Sequence, residues 1–295
     1  MSRPTTAEGR EPEQSASAPL RCCRLCGTPI SQCAWGGGEC ESCGSVSVAS
    51  LPTEDELAAY YRTYHESYSG GGRSGGRNLR RYAERYLRLV RRHAGPGPLL
   101  DVGSSRSPFP DLAAASGFSV SVMDYARPPD LTPAVSFRAG SLNAESCLEG
   151  QRAAYDVVTA WAVLEHVRDP RYAVRLLAGL CRPGGRIFLS TPEIGTCLTN
   201  HALGHSRWFL PPEHLHLISP RAIQSLFADQ GCKLLAWGRL ELSLLRFAAR
   251  YGIGVLEAIV GWPFRAFCPM RWRKAREERT QRFQGIAWFV LTQEP

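Results

Sequence analysis

Three sets of residues in this sequence carry side chains that could do chemistry. The first is sulfur. The stretch RCCRLCGTPISQCAWGGGECESCGS contains two CxxCG knuckles, Cys23 with Cys26 and Cys40 with Cys43. Such a knuckle turns the backbone so that two thiolates converge, and the glycine after it (Gly27, Gly44) permits the left-handed bend. Two knuckles on facing hairpin turns complete a tetrahedral S4 site that suits Zn²⁺, closed to further ligands and therefore structural. Cys22 and Cys33 are spare. A redox CxxC pair would need a flanking βα unit that is missing here, and a ribbon that reads nucleic acid is the other use of the motif.

The second set surrounds LLDVGSSRSPF, at 99–109, which reads as a buried strand entering a tight turn. Asp124 closes the next strand, where a carboxylate can accept hydrogen bonds from both hydroxyls of a ribose. The third set follows the carboxyl ends of later strands: Glu165 and His166 in VLEHV, then His214 and His216 in PPEHLH. An imidazole or carboxylate there can act as general base, although a lone histidine more often shapes a loop. His201 and His205 are spaced for one helical face and, with His214 and His216, form a weaker metal-ligand alternative.

These residues need a scaffold. With 295 residues, 44% of them hydrophobic and 21% charged, the chain suffices for one full α/β domain and a small appendage. The polar, Pro/Ser/Glu-rich 1–20 predicts a disordered tail without the apolar core of a secretory signal, hence a cytoplasmic protein. The ribbon occupies 21–50, a helical linker or lid 51–95, and the main domain 96–295, with a helical insertion at 238–284. In the lid, Pro52 and Thr53 with Glu56 resemble a capping box. Tyr60, Tyr61, Tyr64 and Tyr68 follow, then a glycine-rich mobile stretch and a helix over 78–93. From there LLDVG, FSVSVMDYA, VSFRAG, YDVVTAWAVL, RIFLSTPE, CKLLAWGRLE and IAWFVLTQ read as strands, with a turn at RPGG. Helices alternate with them at FPDLAAASG, YAVRLLAGL and PRAIQSLFADQG. The pattern predicts a doubly wound parallel sheet whose ligand lies outside the carboxyl ends of its strands.

The formal net charge of +8 concentrates at 77–93 and 271–282, where acidic residues sit among the arginines. That mixture reads as solvated helix faces rather than a nucleic-acid surface. No run approaches the ~18 apolar residues of a membrane span. The apolar, aromatic and basic insertion reads as packed helices and also suits peripheral contact with a membrane surface.

LLDVGSSRSPF, Asp124, YDVVTAWAVLEHVRDP, LCRPGGRIFLSTPE and RWFLPPEHLHLISPRAI together resemble the class I S-adenosylmethionine-dependent methyltransferases, most closely the ubiquinone-biosynthesis and small-molecule branch. The resemblance spans about 60–295 and implies a seven-stranded Rossmann-like sheet with S-adenosylmethionine as cofactor. In the family the turn reads acidic-x-Gly-x-Gly-x-Gly. Asp101 and Gly103 match, whereas Ser105 and Ser107 replace the second and third glycines. The resemblance further implies that Tyr125 lies along the adenine and that Ser141 and the backbone near Leu142 meet its amino group. Ala160 and Trp161 would flank the methionine portion. His166 is the first choice for general base and His214 the second, with Glu165 beside them. The partner implied is a small-molecule or lipid/sugar-linked acceptor. A nicotinamide enzyme would share the fold, but lacks the VLEHV continuation and keeps the glycines. Two other readings stand beside this one: a zinc-ribbon RNA methyltransferase, and a non-catalytic scaffold with a degenerate cofactor pocket.

Overall fold

The computed structural model describes residues 21–33, 37–67, 72–143, 145–192, 194, 213–239 and 286–294. The N-terminal tail, His201, His205 and the body of the insertion lie outside the described residues, as do the side chains of Tyr64 and Tyr68.

The main sheet has seven strands. In chain order they are β4 (Pro98–Val102), β5 (Ser119–Asp124), β6 (Ser136–Ala139), β7 (Tyr155–Trp161), β8 (Cys181–Pro192), β10 (Cys232–Arg239) and β11 (Ile286–Gln293), arranged β10-β11-β8-β7-β4-β5-β6. Neighbours pair in parallel from β8 to β6, but β11 inserts antiparallel between β8 and β10. The sheet is therefore mixed, which corrects the all-parallel expectation. Antiparallel neighbours need no crossover helix between them, unlike the parallel pairs in the rest of the sheet.

Period-two alternation divides the sheet between two cores. Leu99, Val157, Phe188 and Val290 point to one face. There they meet Ala83, Tyr86 and Val90 of α2 (Gly72–His93) and Phe109 and Ala113 of α3 (Phe109–Ala115). Leu100, Val158, Ile187, Phe289 and Leu291 point to the other, against α4 (Pro170–Leu180) and α5 (Pro220–Ala228). Asp169 caps α4 through Arg171 N and Tyr172 N, and Ser219 caps α5 through Ala222 N.

Two boundaries differ from the sequence pattern. Helix α2 starts at Gly72 rather than 78, because extending a nucleated helix adds a hydrogen bond for each residue fixed, even through glycines. RPGG opens β8 rather than preceding it. Pairing with β7 steps from Tyr155–Cys181 to Val157–Arg186, so 182–185 bulge out of register, with Gly184 at φ 77°.

The ribbon forms a second sheet, β1 (Ser31–Cys33), β2 (Gly37–Glu39) and β3 (Val46–Val48), completed by β9 (His216–Leu217) from the main domain. Its Cys23, Leu25, Cys40 and Cys43 belong to the same apolar cluster as α4 and α5. Across the carboxyl ends of the strands runs α1 (Glu54–Ser67), opened by the expected box: Thr53 N donates to Glu56 Oε2 at 2.7 Å and Glu56 N to Thr53 Oγ1 at 3.2 Å. Glu54 ties this helix down by an ion pair with Arg168 at 3.3 Å and by accepting from Asn143 Nδ2 at 3.2 Å.

Candidate active site and cysteine centre

The turn after β4 keeps glycine geometry without all the glycines. Gly103 has φ 69°, and a Cβ there would meet Val163 Cγ2 at 2.8 Å, so only glycine fits beneath that valine. Ser105 also adopts left-handed backbone, φ 49°, which costs a side-chain-bearing residue about 1 kcal/mol. Its amide donates to Asp124 Oδ2 at 2.9 Å, while Tyr125 N donates to Oδ1 at 2.7 Å. The carboxylate thus clamps the turn to the end of β5. Ser107 does something else: its hydroxyl accepts from Phe109 N at 3.2 Å at the start of α3. Arg106 reaches away to Asp130, 3.3 Å.

Tyr125 and the loop after β6 form one wall. Asn143 Nδ2 donates to the Tyr125 hydroxyl at 3.0 Å, Asn143 N to Ser141 Oγ at 3.2 Å, and Leu142 is buried beneath them. Tyr61 of α1 lies parallel to Tyr125, ring centroids 5.7 Å apart, so the helix covers this wall. No sequence signal separated Tyr61 from its neighbouring tyrosines.

Three residues expected at the cofactor face elsewhere. Asp101 is wholly buried, and its oxygens accept from the hydroxyls of Ser104 and Thr159. Burial raises its pKa to about 7 against those hydrogen bonds. It braces the turn from behind and presents nothing to the cleft. Trp161 turns into the α2–α3 core, stacked on Tyr86 at 4.0 Å and edge-on to Phe109 at 5.5 Å. Ala160 is buried on the opposite face. What reaches the cleft from β7 is backbone: Ala162 at φ 55°, its amide held by Ser190 O at 3.0 Å.

Beyond β7 the chain gathers Glu165, His166 and His214, whose donor atoms lie within 4.8 Å of one another. The His166 and His214 rings are 4.7 Å apart, and His166 Nε2 is 3.9 Å from Glu165 Oε1. His166 Nδ1 contacts the Glu213 carbonyl, which can only accept, so the proton sits on Nδ1 and Nε2 carries the lone pair. The Tyr61 hydroxyl is 3.0 Å from the same Nδ1. Burial holds His166 down to about 3, with His214 adding to the effect, and His214 down to about 4. Burial lifts Glu165 to about 8, against the opposing pull of its own backbone amide and the Thr191 hydroxyl. Burial thus disfavours charge on all three groups, favouring neutral imidazoles and a protonated carboxyl. One carboxyl and two imidazoles are also a donor set that a divalent cation accepts. His216 takes no part. It is fully buried, with both ring nitrogens bonded away from the cluster.

The four knuckle sulfurs converge within 4.8 Å, with Cys26 Sγ 3.4 Å from Cys40 Sγ and Cys23 Sγ 3.6 Å from Cys43 Sγ. Zn–S bonds of about 2.3 Å place tetrahedral sulfurs roughly 3.8 Å apart, so the cage fits that ion. Gly27 and Gly44 have φ 78° and 71°, the bends each knuckle needs. Among the described residues no helix is long and apolar enough to cross a membrane.

Residues 75–236, more than half of the chain, match the family model described as Methyltransferase domain. The ubiquinone biosynthesis O-methyltransferase of Aeromonas salmonicida is 34% identical over 100 residues, 32% of this chain and 42% of that one. That of Idiomarina loihiensis is 33% identical over 97 residues, 28% of this chain and 40% of that one. The match thus spans about two fifths of the length of these curated relatives. Among solved structures, the 1,6-didemethyltoxoflavin-N1-methyltransferase of Burkholderia thailandensis superposes with TM-score 0.52 at 14% identity, covering 90% of this chain and 99% of that one. The 4+2 cyclase SpnF superposes with TM-score 0.50 at 16% identity, over 83% of this chain and 98% of that one. With the sheet order, the glycine-shaped turn and the carboxylate facing it already in place, the match assigns the chain to the methyltransferase-domain family, with the class I methyltransferase fold.

Proposed function

We propose that the protein is an S-adenosylmethionine-dependent methyltransferase acting on a small-molecule or lipid/sugar-linked acceptor, with a structural Zn²⁺ in its cysteine cage. When bound, the cofactor supplies a methyl group activated on a sulfonium. Gly103 and Ser105 give it a close backbone approach, Asp124 accepts from its ribose, and Tyr125, Ser141 and Leu142 line its adenine side. The observation that carries this reading is Asp124, held 2.9 Å from the Ser105 amide at the end of β5, so that a carboxylate faces the glycine-shaped turn. Methyl transfer is an in-line displacement, so the chain's work is to align two ligands and exclude water. Helix α1 lies where a cover is needed. His166 is the general base: the Glu213 carbonyl fixes its tautomer, and Nε2, 3.9 Å from Glu165 Oε1, receives the acceptor's proton. The His214 ring stands next in line.

Titration calorimetry with S-adenosylhomocysteine tests the reading. Saturable heat and a raised melting temperature support it. No heat and no stabilisation would leave the scaffold reading, and a steep fall of RNA binding with salt would favour an RNA substrate.

A further inference from the structure

We infer that the cysteine ribbon braces the acceptor-side site: through Ser47 and the buried imidazole of His216 it positions the loop that carries Glu165 and His166. The inference rests on the reading that places His166 at the reacting end of the cleft.

Strand β9 lies in the main-domain sequence yet hydrogen-bonds as the fourth strand of the ribbon, Val46 opposite Leu217 and Ser47 opposite His216. The His216 ring bridges in two directions. Nε2 lies 2.9 Å from the Val167 carbonyl, which can only accept, so Nε2 carries the proton. Nδ1 is then an acceptor, and Ser47 Oγ donates to it at 2.9 Å. A neutral imidazole does both jobs at once, and burial, the largest effect on it, keeps it neutral. The backbone repeats the connection: Leu215 N and His216 N donate to the Glu165 carbonyl at 2.8 and 3.2 Å, and Val48 N donates to Leu215 O at 2.9 Å. A second tie runs from Ser219, which donates to the Cys43 carbonyl and accepts from Ala222 N at the start of α5. Val48, Leu57 and Leu215 then pack together with Tyr61 against them.

These hydrogen bonds from the ribbon land on 215–219, which bond on to 165–167, while its apolar side chains pack against α4 and α5. Gly103 N donates to Met123 O, Ser105 N to Asp124 Oδ2 and Gly140 N to Asp124 O, which ties the turn to β5 and to the loop after β6. Ser47 and His216 are accordingly positioning residues for the acceptor side. A simple staple for the N-terminal segment would have no reason to spend a buried imidazole on a loop of the catalytic domain, since an unbonded buried polar group is costly.

The test compares the full chain loaded with Zn²⁺, the same chain stripped by a chelator, and Ser47→Ala. It reads amide hydrogen exchange together with S-adenosylhomocysteine affinity. Exchange at Leu215, His216 and His166 should rise roughly two- to tenfold in Ser47→Ala, as loss of one buried hydrogen bond implies, and further on stripping. Exchange at Gly103 and Ser105 and the affinity for S-adenosylhomocysteine should stay within about twofold. A purely structural role would instead loosen both halves together, and that result overturns the inference. So does a stripped ribbon that exchanges freely while Leu215 and His216 keep native protection. If Ser47→Ala does not fold, the chelator arm decides; if the chain holds no Zn²⁺, Ser47→Ala decides. Failure of the wild-type chain to bind S-adenosylhomocysteine counts against the methyltransferase reading and leaves the exchange comparison intact.

Discussion

The two halves of the cleft are built on different principles. The cofactor half is local: a turn, the end of the adjacent strand and one short loop, closed by bonds such as Ser105 N to Asp124. The acceptor half is assembled from distant pieces. Tyr61 comes from α1, Ser47 from the ribbon, Glu165 and His166 from the loop after β7, and His214 from the segment before β9. The first can be formed as soon as β4 and β5 pair. The second exists only when the whole chain has folded, which leaves its chemistry free to differ between relatives sharing the sheet.

The largest effect expected along this divide is that of Asp124→Ala. Losing charge-assisted bonds to ribose should cost S-adenosylhomocysteine at least roughly a hundredfold in affinity by calorimetry, about 3 kcal/mol. Amide exchange at Leu215 and His216 should not move, and if it does the halves are not separate.

Next comes the pH profile of thermal stability, which belongs mostly to the acceptor half. Burial depresses His166, His214 and His216 to about 3, 4 and 3, from an ordinary 6.5. Their contribution is full above about pH 6.5 and is lost as the pH falls through those values. Glu165, raised from 4.5 to about 8, works the other way: its contribution is full below about pH 4.5 and is lost as the pH rises through 8. Buried Asp101, raised from 3.8 to about 7, adds to that loss. The melting temperature should therefore peak between about pH 6 and 7. Glu165→Gln should flatten the alkaline limb, worth about 2 kcal/mol at pH 9, and an unchanged limb would show that this carboxyl is not buried neutral.

The smallest effects separate the two serines of the turn. Ser107→Gly removes the acceptor for Phe109 N and should lower stability by about 0.5 kcal/mol in denaturant titrations. Ser105→Gly relieves a left-handed φ of 49° at some entropic cost and should raise it by about 0.5 kcal/mol. Equal effects would mean that the two positions are not distinct.

Legibility in the sequence follows the same divide. Strand periodicity, caps such as Thr53 with Glu56, and the cysteine knuckles depend on neighbours a few residues apart, so the pattern displays them. Asp124 and the Gly103 turn were readable for that reason. Asp101 and Trp161 misled because a motif position says which strand end a residue occupies, not which face its side chain takes. Nothing local marks Ser47, Tyr61 or Ala162, whose roles arise from contacts across the chain or from a backbone angle imposed by Ser190. His216 looked like a second catalytic imidazole because PPEHLH puts it beside His214; alternation in an extended segment sends it to the ribbon.

That shared fourth strand also bears on how the protein can be cut. A chain shortened to begin after the cysteine segment would leave the His216–Leu217 edge without its β3 partner and uncover the apolar contacts of Leu215 and Ile218. An open strand edge beside a bare hydrophobic patch is a template for self-association. The trimmed protein would be expected to precipitate or pair with itself, however well its sheet is preserved.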